Sequence, residues 1–367
     1  MRLASYTQWL TFKPYAAATL PLLLLAACST PGEVAPGAQK PPVATGTTQP
    51  APKPAASTAT PEQAELRALV VQQDRLYDVA APLLVNNAEL CRNNARNLLG
   101  FTAKTKFSYS AEFIDAATAM GLTDQLQVAG VLAGSGAARV GLKRGDLLVS
   151  IQDKPAPTGA DAERKTALML GALVNGRNSI KVTIARDGNN QPLNVALTRA
   201  CAFGIELGNT DNVNSYADGR RVLITSGMMK FVQSDDELAY VIAREMAHNT
   251  LTHPAKQRIT ATMSGIIDNL MRLRPDTSSL GGSAGVKPYT QQQDAAADKL
   301  ALFMVARAGY KIENAAAFWQ RLATQYPVTV LNAHTAIHPA TAYRLSAIQQ
   351  AVQDIQAKQA AGAKLVQ

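Results

Sequence analysis

Apolar positions along this chain change period twice. Val128 to Ile151 alternates apolar and small residues through Gly-Ser-Gly and Gly145-Asp146 turns, which predicts two strands around a short Ala-Ala-Arg-Val helix. A helical pattern follows from about Ala160 to Leu173. Ser179 to Ala185 and Leu193 to Thr198 then alternate about Asp187-Gly188-Asn189-Asn190, the signature of a hairpin. Beyond residue 201 the spacing lengthens. Val213 to Ala217 and Arg220 to Thr225 flank an Asp218-Gly219 turn. Ser234-Asp-Asp-Glu237 reads as a capping box opening a helix whose Leu238, Val241, Ile242 and Met246 form one stripe, and which should end before Pro254. A further helix spans about Gln291 to Ala308 and stops at Gly309. The fold class is α+β: a mainly helical domain with a small hairpin or edge sheet, interrupted by a β-rich insert.

Residues 1–62 have neither period. Arg2 and Lys13 precede a short apolar run ending Leu25-Ala26-Ala27-Cys28, too short and wrongly flanked to span a bilayer. This ending resembles a bacterial lipoprotein signal. It implies a signal peptide over 1–27, lipidation of Cys28 and anchorage to a membrane through the acyl chains. Ser29 after the cysteine resembles the outer-membrane sorting pattern, so the expected location is the bacterial envelope, facing the periplasm. Eight of the 19 prolines fall between Ser29 and Glu62. That composition makes 28–62 an extended tether with a reach on the order of 100 Å at ~3.1 Å per residue.

The net charge of +9, two units lower without Arg2 and Lys13, is modest, and no basic run is interleaved with aromatics. Nucleic acid is therefore not an expected partner. With Cys28 lipidated, Cys91 and Cys201 remain as a pair in an oxidising compartment, closing the insert at its base as a disulfide. The run Gly-Ser-Gly-Ala-Ala-Arg-x-Gly-Leu-Lys-x-Gly-Asp within that insert resembles a bacterial PDZ domain over residues 95–200. The resemblance implies capture of an extended peptide as an added strand. Leu99-Gly100-Phe101 and Met120-Gly121-Leu122 both remain candidates for the loop that would hold its carboxylate.

The flanking parts, 63–94 and 201–367, hold the chemistry. Arg244-Glu245-Met246-Ala247-His248 is the helical zinc motif H-E-x-x-H with arginine for its first histidine. With Val213-Asn-Ser-Tyr-Ala-Asp-Gly219, Ile224-Thr-Ser-Gly227, Asp294-Ala-Ala-Ala-Asp298 and His338-Pro339, it resembles the HtpX-, BepA- and Oma-like zinc metallopeptidases, gluzincins related to the Ste-type CAAX proteases. The resemblance implies a zinc held by His248 and Asp294 and by the position that Arg244 occupies. It gives Glu245 as general base and His338 beside the substrate or the transition-state oxygen. It also makes the strand at Val222-Leu223-Ile224 the edge that pairs with substrate.

Arginine removes a donor and adds a permanent cation. Two protein ligands fall short of the three that zinc sites use, so zinc is expected absent or weakly bound. Arg244 itself is expected to fill the metal position and pair with Glu245, Asp294 or both. His253 offers no substitute, lying about 13 Å beyond Arg244 along the helix at ~1.5 Å per residue. The stripe from Met263 to Leu273 reads as core or lip packing, and the Gly/Ser-rich stretch 278–286 as a loop near the cleft. Two functions compete. One is a lipid-anchored pseudopeptidase that holds unfolded or extended envelope polypeptides as an adaptor. The other is an active metalloendopeptidase degrading misassembled envelope proteins.

Overall fold

The computed structural model describes residues 59–256, 260–276, 289–326 and 342–366. Cys28, His338 and the 278–286 stretch lie outside them. Chain order is α1 (Pro61–Asn86), β1 (Ala95–Leu98), β2 (Phe101–Lys104), α2 (Ile114–Ala119), β3 (Gln127–Val131), α3 (Gly136–Arg139), β4 (Leu147–Ile151), β5 (Lys154–Pro155), α4 (Ala162–Leu173), β6 (Ser179–Arg186), β7 (Asn189–Ala196) and β8 (Thr198–Cys201). Then come β9 (Gly204–Gly208), β10 (Ser215–Ala217), β11 (Arg221–Thr225), α5 (Ser226–Phe231), α6 (Asp235–Thr250), α7 (His253–Lys256), α8 (Thr260–Leu270), α9 (Gln291–Arg307), α10 (Ala315–Gln325) and α11 (Ala342–Ala360). The fold is α+β. Helix α1 starts at Pro61 behind a Thr60 capping box, so the last two residues of the expected tether, Pro61 and Glu62, belong to a helix.

The insert has its own core. Leu126, Val128, Leu148, Ile151, Ile180, Val182, Ile184 and Val195 are buried between its sheet and α4. The sheet runs β2-β3-β4-β6-β7, with β5 beside β4. Its last hairpin is tighter than the alternation suggests: β7 begins at Asn189, and only Asp187 and Gly188, both at positive φ, make the turn. Asn189 to Pro192 have poor strand propensity, but full pairing with β6 overrides it. Pro192 is tolerated because β7 is an edge.

The insert enters and leaves through one doorway. Strands β1 and β8 pair antiparallel, Ala95 opposite Cys201, and Cys91 is disulfide-bonded to Cys201.

The body packs α1, α6, α9 and α11 about a shared apolar core. Helix α6 is its axle, with every residue from Glu237 to Thr250 buried. Ser234 caps it by accepting from the Glu237 N–H at 3.2 Å. Glu237 does not complete the expected box. Its carboxylate accepts instead from the Gln233 N–H and from Arg321.

A three-stranded sheet, β10-β11-β9, lies beside α6. The expected substrate edge at Val222-Leu223-Ile224 is therefore corrected: β11 is the middle strand, antiparallel to β10 and parallel to β9. The edges are β10 and β9. The hairpin signal located β11 but could not show β9, which arrives from the far side of the insert. Helix α8 buries Met263, Ile266, Ile267 and Leu270 against Tyr216, Leu223 and Tyr289, while Met271 is exposed. No helix among the described residues is long and apolar enough to cross a membrane.

Candidate functional site

Arg244 and Glu245 project from the middle of α6, and Asp294 from the first turn of α9, where Thr290 caps the helix through the Gln293 N–H. A carboxylate there suits the positive end of the helix dipole. The Arg244 side chain is 1% exposed, and its guanidinium is surrounded by acids. Nη1 donates to Glu245 Oε1 at 2.9 Å and Nη2 to Asp294 Oδ1 at 2.7 Å, while Nε lies 3.5 Å from Asp298 Oδ1. Asp298, one turn along α9, is also gripped by both nitrogen arms of Arg344 from α11. The Trp319 indole from α10 lies near both cations, 5.5 Å from Arg244 Cζ and 4.5 Å from Arg344 Cζ.

Five buried charges thus tie three helices together. Burial in such a place costs too much for unpaired ions, so carboxylates keep company with guanidinium groups or hold a proton. Two cations face three acids. Burial pushes the Asp294 carboxyl up to about 7 against the pull of Arg244, and it also raises Glu245. Glu245 is further fixed by Ser215 of β10, whose hydroxyl donates to Oε1 at 2.9 Å.

Because the folded-state value of Asp294 lies above its ordinary 3.8, the folded protein holds the carboxyl proton longer than the unfolded chain does. Its contribution to stability is greatest below about pH 4 and declines as pH rises to about 7. Asp294→Asn should flatten that part of the profile, checked by thermal melts from pH 4 to 8. An unchanged slope would mean another group governs it.

His248 lies in the same pocket, its Nε2 3.6 Å from Asp294 Oδ1. Tyr289 stacks on its ring with centroids 4.1 Å apart. The placement of His253 departs from the straight-helix expectation. Helix α6 ends at Thr250, Thr252 takes a positive φ of 58°, and α7 folds back. His253 Nδ1 then reaches within 3.1 Å of His248 Nδ1. Burial lowers His253 to about 4, so it faces His248 as a neutral ring. Pro254 signalled the helix end, but nothing in the pattern marked the reversal. Trp319, Tyr289 and Arg344 also escaped the sequence reading, since each reaches the site from a separate helix or strand-free segment.

The residues present do not fit a zinc ion. The one turn that should bring a first imidazole brings a guanidinium hydrogen-bonded to the carboxylate expected to bind metal. Among the described residues no three His, Cys, Asp or Glu side chains converge as a metal site. No catalytic step is therefore derived through a metal.

A second candidate site lies where the insert meets the body. A cleft of about 430 Å³ is bounded by Leu98 to Thr102, by Leu170 of α4 and Val174 just after it, by Tyr77 and Leu84 of α1, and by Phe203 to Glu206. Of the two candidate loops, only Leu99-Gly100-Phe101 borders it. Met120 and Leu122 pack instead on the α1 side, against a cluster that includes Leu66 and Phe113.

The helix pair that carries this motif beside a three-stranded sheet is metallopeptidase-like, and the insert is a separate β-rich unit with its own core. Residues 203–352 match the family described as Peptidase family M48. The chain is 26% identical over 139 residues to the beta-barrel assembly-enhancing protease of Yersinia pestis, covering 34% of this chain and 29% of that protein. A counterpart in Vibrio cholerae serotype O1 is 30% identical over 131 residues, covering 31% and 27%. The chain thus spans less than a third of these curated relatives. Among solved structures, the HtrA3 PDZ domain bound to a phage-derived ligand is 15% identical over 29% of this chain and 88% of its own, with a TM-score of 0.22. The HtrA-type protease AlgW with a decapeptide is 25% identical over 29% and 30%, with a TM-score of 0.21.

Proposed function

We propose that this protein is a lipid-anchored envelope pseudopeptidase that holds extended polypeptides without cutting them. The observation that carries this reading is the Arg244 guanidinium seated between Glu245 and Asp294. Without a metal, water is not acidified and a scissile carbonyl is not polarised. Glu245, hydrogen-bonded to a cation and to Ser215, lacks the freedom of a general base. The PDZ-like insert supplies a peptide groove, and the relatives of the other domain are beta-barrel assembly-enhancing proteases. We assign the tether and Cys28 to anchoring in the outer membrane on the periplasmic side, with unfolded or misassembled envelope polypeptides as clients and no nucleic acid.

The purified protein should contain no stoichiometric zinc, and EDTA should leave its melting temperature unchanged. Arg244→His restores the missing imidazole beside His248 and Asp294. That variant should take up zinc and become sensitive to EDTA, with casein cleavage as the accompanying assay. One tightly held zinc per wild-type chain, measured by plasma emission, would refute the pseudopeptidase reading.

A further inference from the structure

Glu206 of β9 borders two spaces. One is the apolar cleft beside Leu99-Gly100-Phe101. The other is a hollow of about 300 Å³ walled by α1, the end of β2, β9 and the end of α8. Lys104 lines this second space as well. Its ammonium lies 3.4 Å from Gln73 Oε1 and 4.9 Å from the centre of the Tyr109 ring, and it forms no ion pair among the described residues. The Glu206 carboxylate neither accepts a hydrogen bond nor pairs with a cation among those residues.

The two groups nevertheless act on each other. Burial lowers the pKa of Lys104 and raises that of Glu206, and each opposes the shift in the other. Their remaining charged neighbours are engaged elsewhere. Arg144 pairs with Asp74, Glu163 accepts from Ser108, and Arg221 holds Asp218 at 2.9 Å and Asp268 at 2.6 Å. Arg272, which also lines the hollow, is exposed to water. One cation and one anion are thus left half-buried in a single hollow, beyond ion-pair distance of one another. Charges withdrawn from water are costly unless each finds a partner.

We propose that this hollow binds a small zwitterion, a free α-amino acid or a dipeptide with an apolar side chain, its carboxylate on Lys104 and its ammonium on Glu206. The charge balance calls for both signs in one molecule. A simple anion would satisfy Lys104 and be repelled by Glu206, and a simple cation would meet the reverse. Leu69, Leu207 and Leu273 supply an apolar wall. The Tyr109 hydroxyl, which has no hydrogen-bond partner among the described residues, is left for a further polar group such as a peptide amide. The volume stands at the low end of the roughly 300–1,000 Å³ of small-ligand sites, which suits one or two residues and not a longer strand. Peptide holding in the neighbouring cleft is a separate reading, and neither depends on the other.

The test is calorimetric titration of the full-length protein at pH 7 with L-leucine and with L-leucyl-L-leucine. Two analogues carry one charge each, isoamylamine without the carboxylate and 4-methylpentanoate without the ammonium. At least one zwitterion should bind about tenfold or more tightly than either analogue, the loss expected for one charge-assisted hydrogen bond. Tighter binding of leucine assigns the site to free amino acids, and tighter binding of the dipeptide assigns it to dipeptides. An analogue that binds as well as the zwitterions would overturn the two-charge site. No binding of any of the four at ~10 mM would overturn the proposal outright. Lys104→Met should reduce the preferred zwitterion to the affinity of isoamylamine while leaving isoamylamine itself unchanged. Glu206→Gln should do the same with respect to 4-methylpentanoate. Equal weakening of every ligand in variants that melt like wild type would show that these side chains only shape the hollow, and would overturn their assignment as ligand partners.

Discussion

Arg244→Ala is expected to lower the unfolding free energy by about 3–5 kcal/mol, the usual cost of removing one partner from a buried ionic cluster. The loss of hydrogen bonds is the smaller part. The larger part is that Glu245, Asp294 and Asp298 remain buried after losing the guanidinium that Arg244 places among them. At about 2–4 °C per kcal/mol for a domain of this size, the melting temperature should fall by on the order of 10 °C. Two controls give the prediction its edge. The penalty should shrink at pH 5 relative to pH 8, because protonated acids no longer need the cation. Arg244→Met combined with Asp294→Leu should be less destabilised than Arg244→Met alone, since the orphaned charge goes with its partner. A penalty independent of pH and additive in the double variant would show that Arg244 contributes packing and not charge balance.

The second large effect concerns the doorway of the insert. Opening the Cys91–Cys201 bond, which closes a loop of 110 residues, should cost about 4–5 kcal/mol in the chain-entropy account. Both cysteines are fully buried, so alanine at both positions also leaves unfilled space in the core. Urea unfolding of the oxidised and reduced protein would measure the first contribution separately from the second. A midpoint unmoved by reduction would mean that the β1–β8 ladder alone holds the doorway in the unfolded ensemble as well as the folded one.

How much of this was legible in the residues depends on how far apart the deciding groups lie. Arg244 and His248 share a face because they are four apart on one helix, and that is local geometry. Asp294 was reachable as well, through a motif on a single helix. The grip of Arg344 on Asp298 was not, because it joins residues 46 apart through the packing of α11 on α9. Trp319 reaches both guanidinium groups from yet another helix. His253 misled the helical ruler because one residue, Thr252, takes a left-handed conformation and turns the chain back. The middle position of β11 was hidden for a similar reason. Its hairpin with β10 is written in Asp218-Gly219, but its parallel partner β9 follows the insert, and a parallel neighbour leaves no turn to read. Within the insert the alternation located β3, β4, β6 and β7, the last with a shifted start where pairing overcame propensity, and it did not mark β1, β2, β5 or β8.

The adjoining entry and exit of the insert have a genetic consequence. Asn94 C=O accepts from Ala202 N–H at 2.8 Å, so the two ends of the segment touch. A stretch whose ends touch can be exchanged as a cassette. Recombination at these borders could replace the insert with another segment, or remove it, while leaving the chain path of α1 and β9 in place. The insert could then diversify between lineages faster than the helical body that carries it.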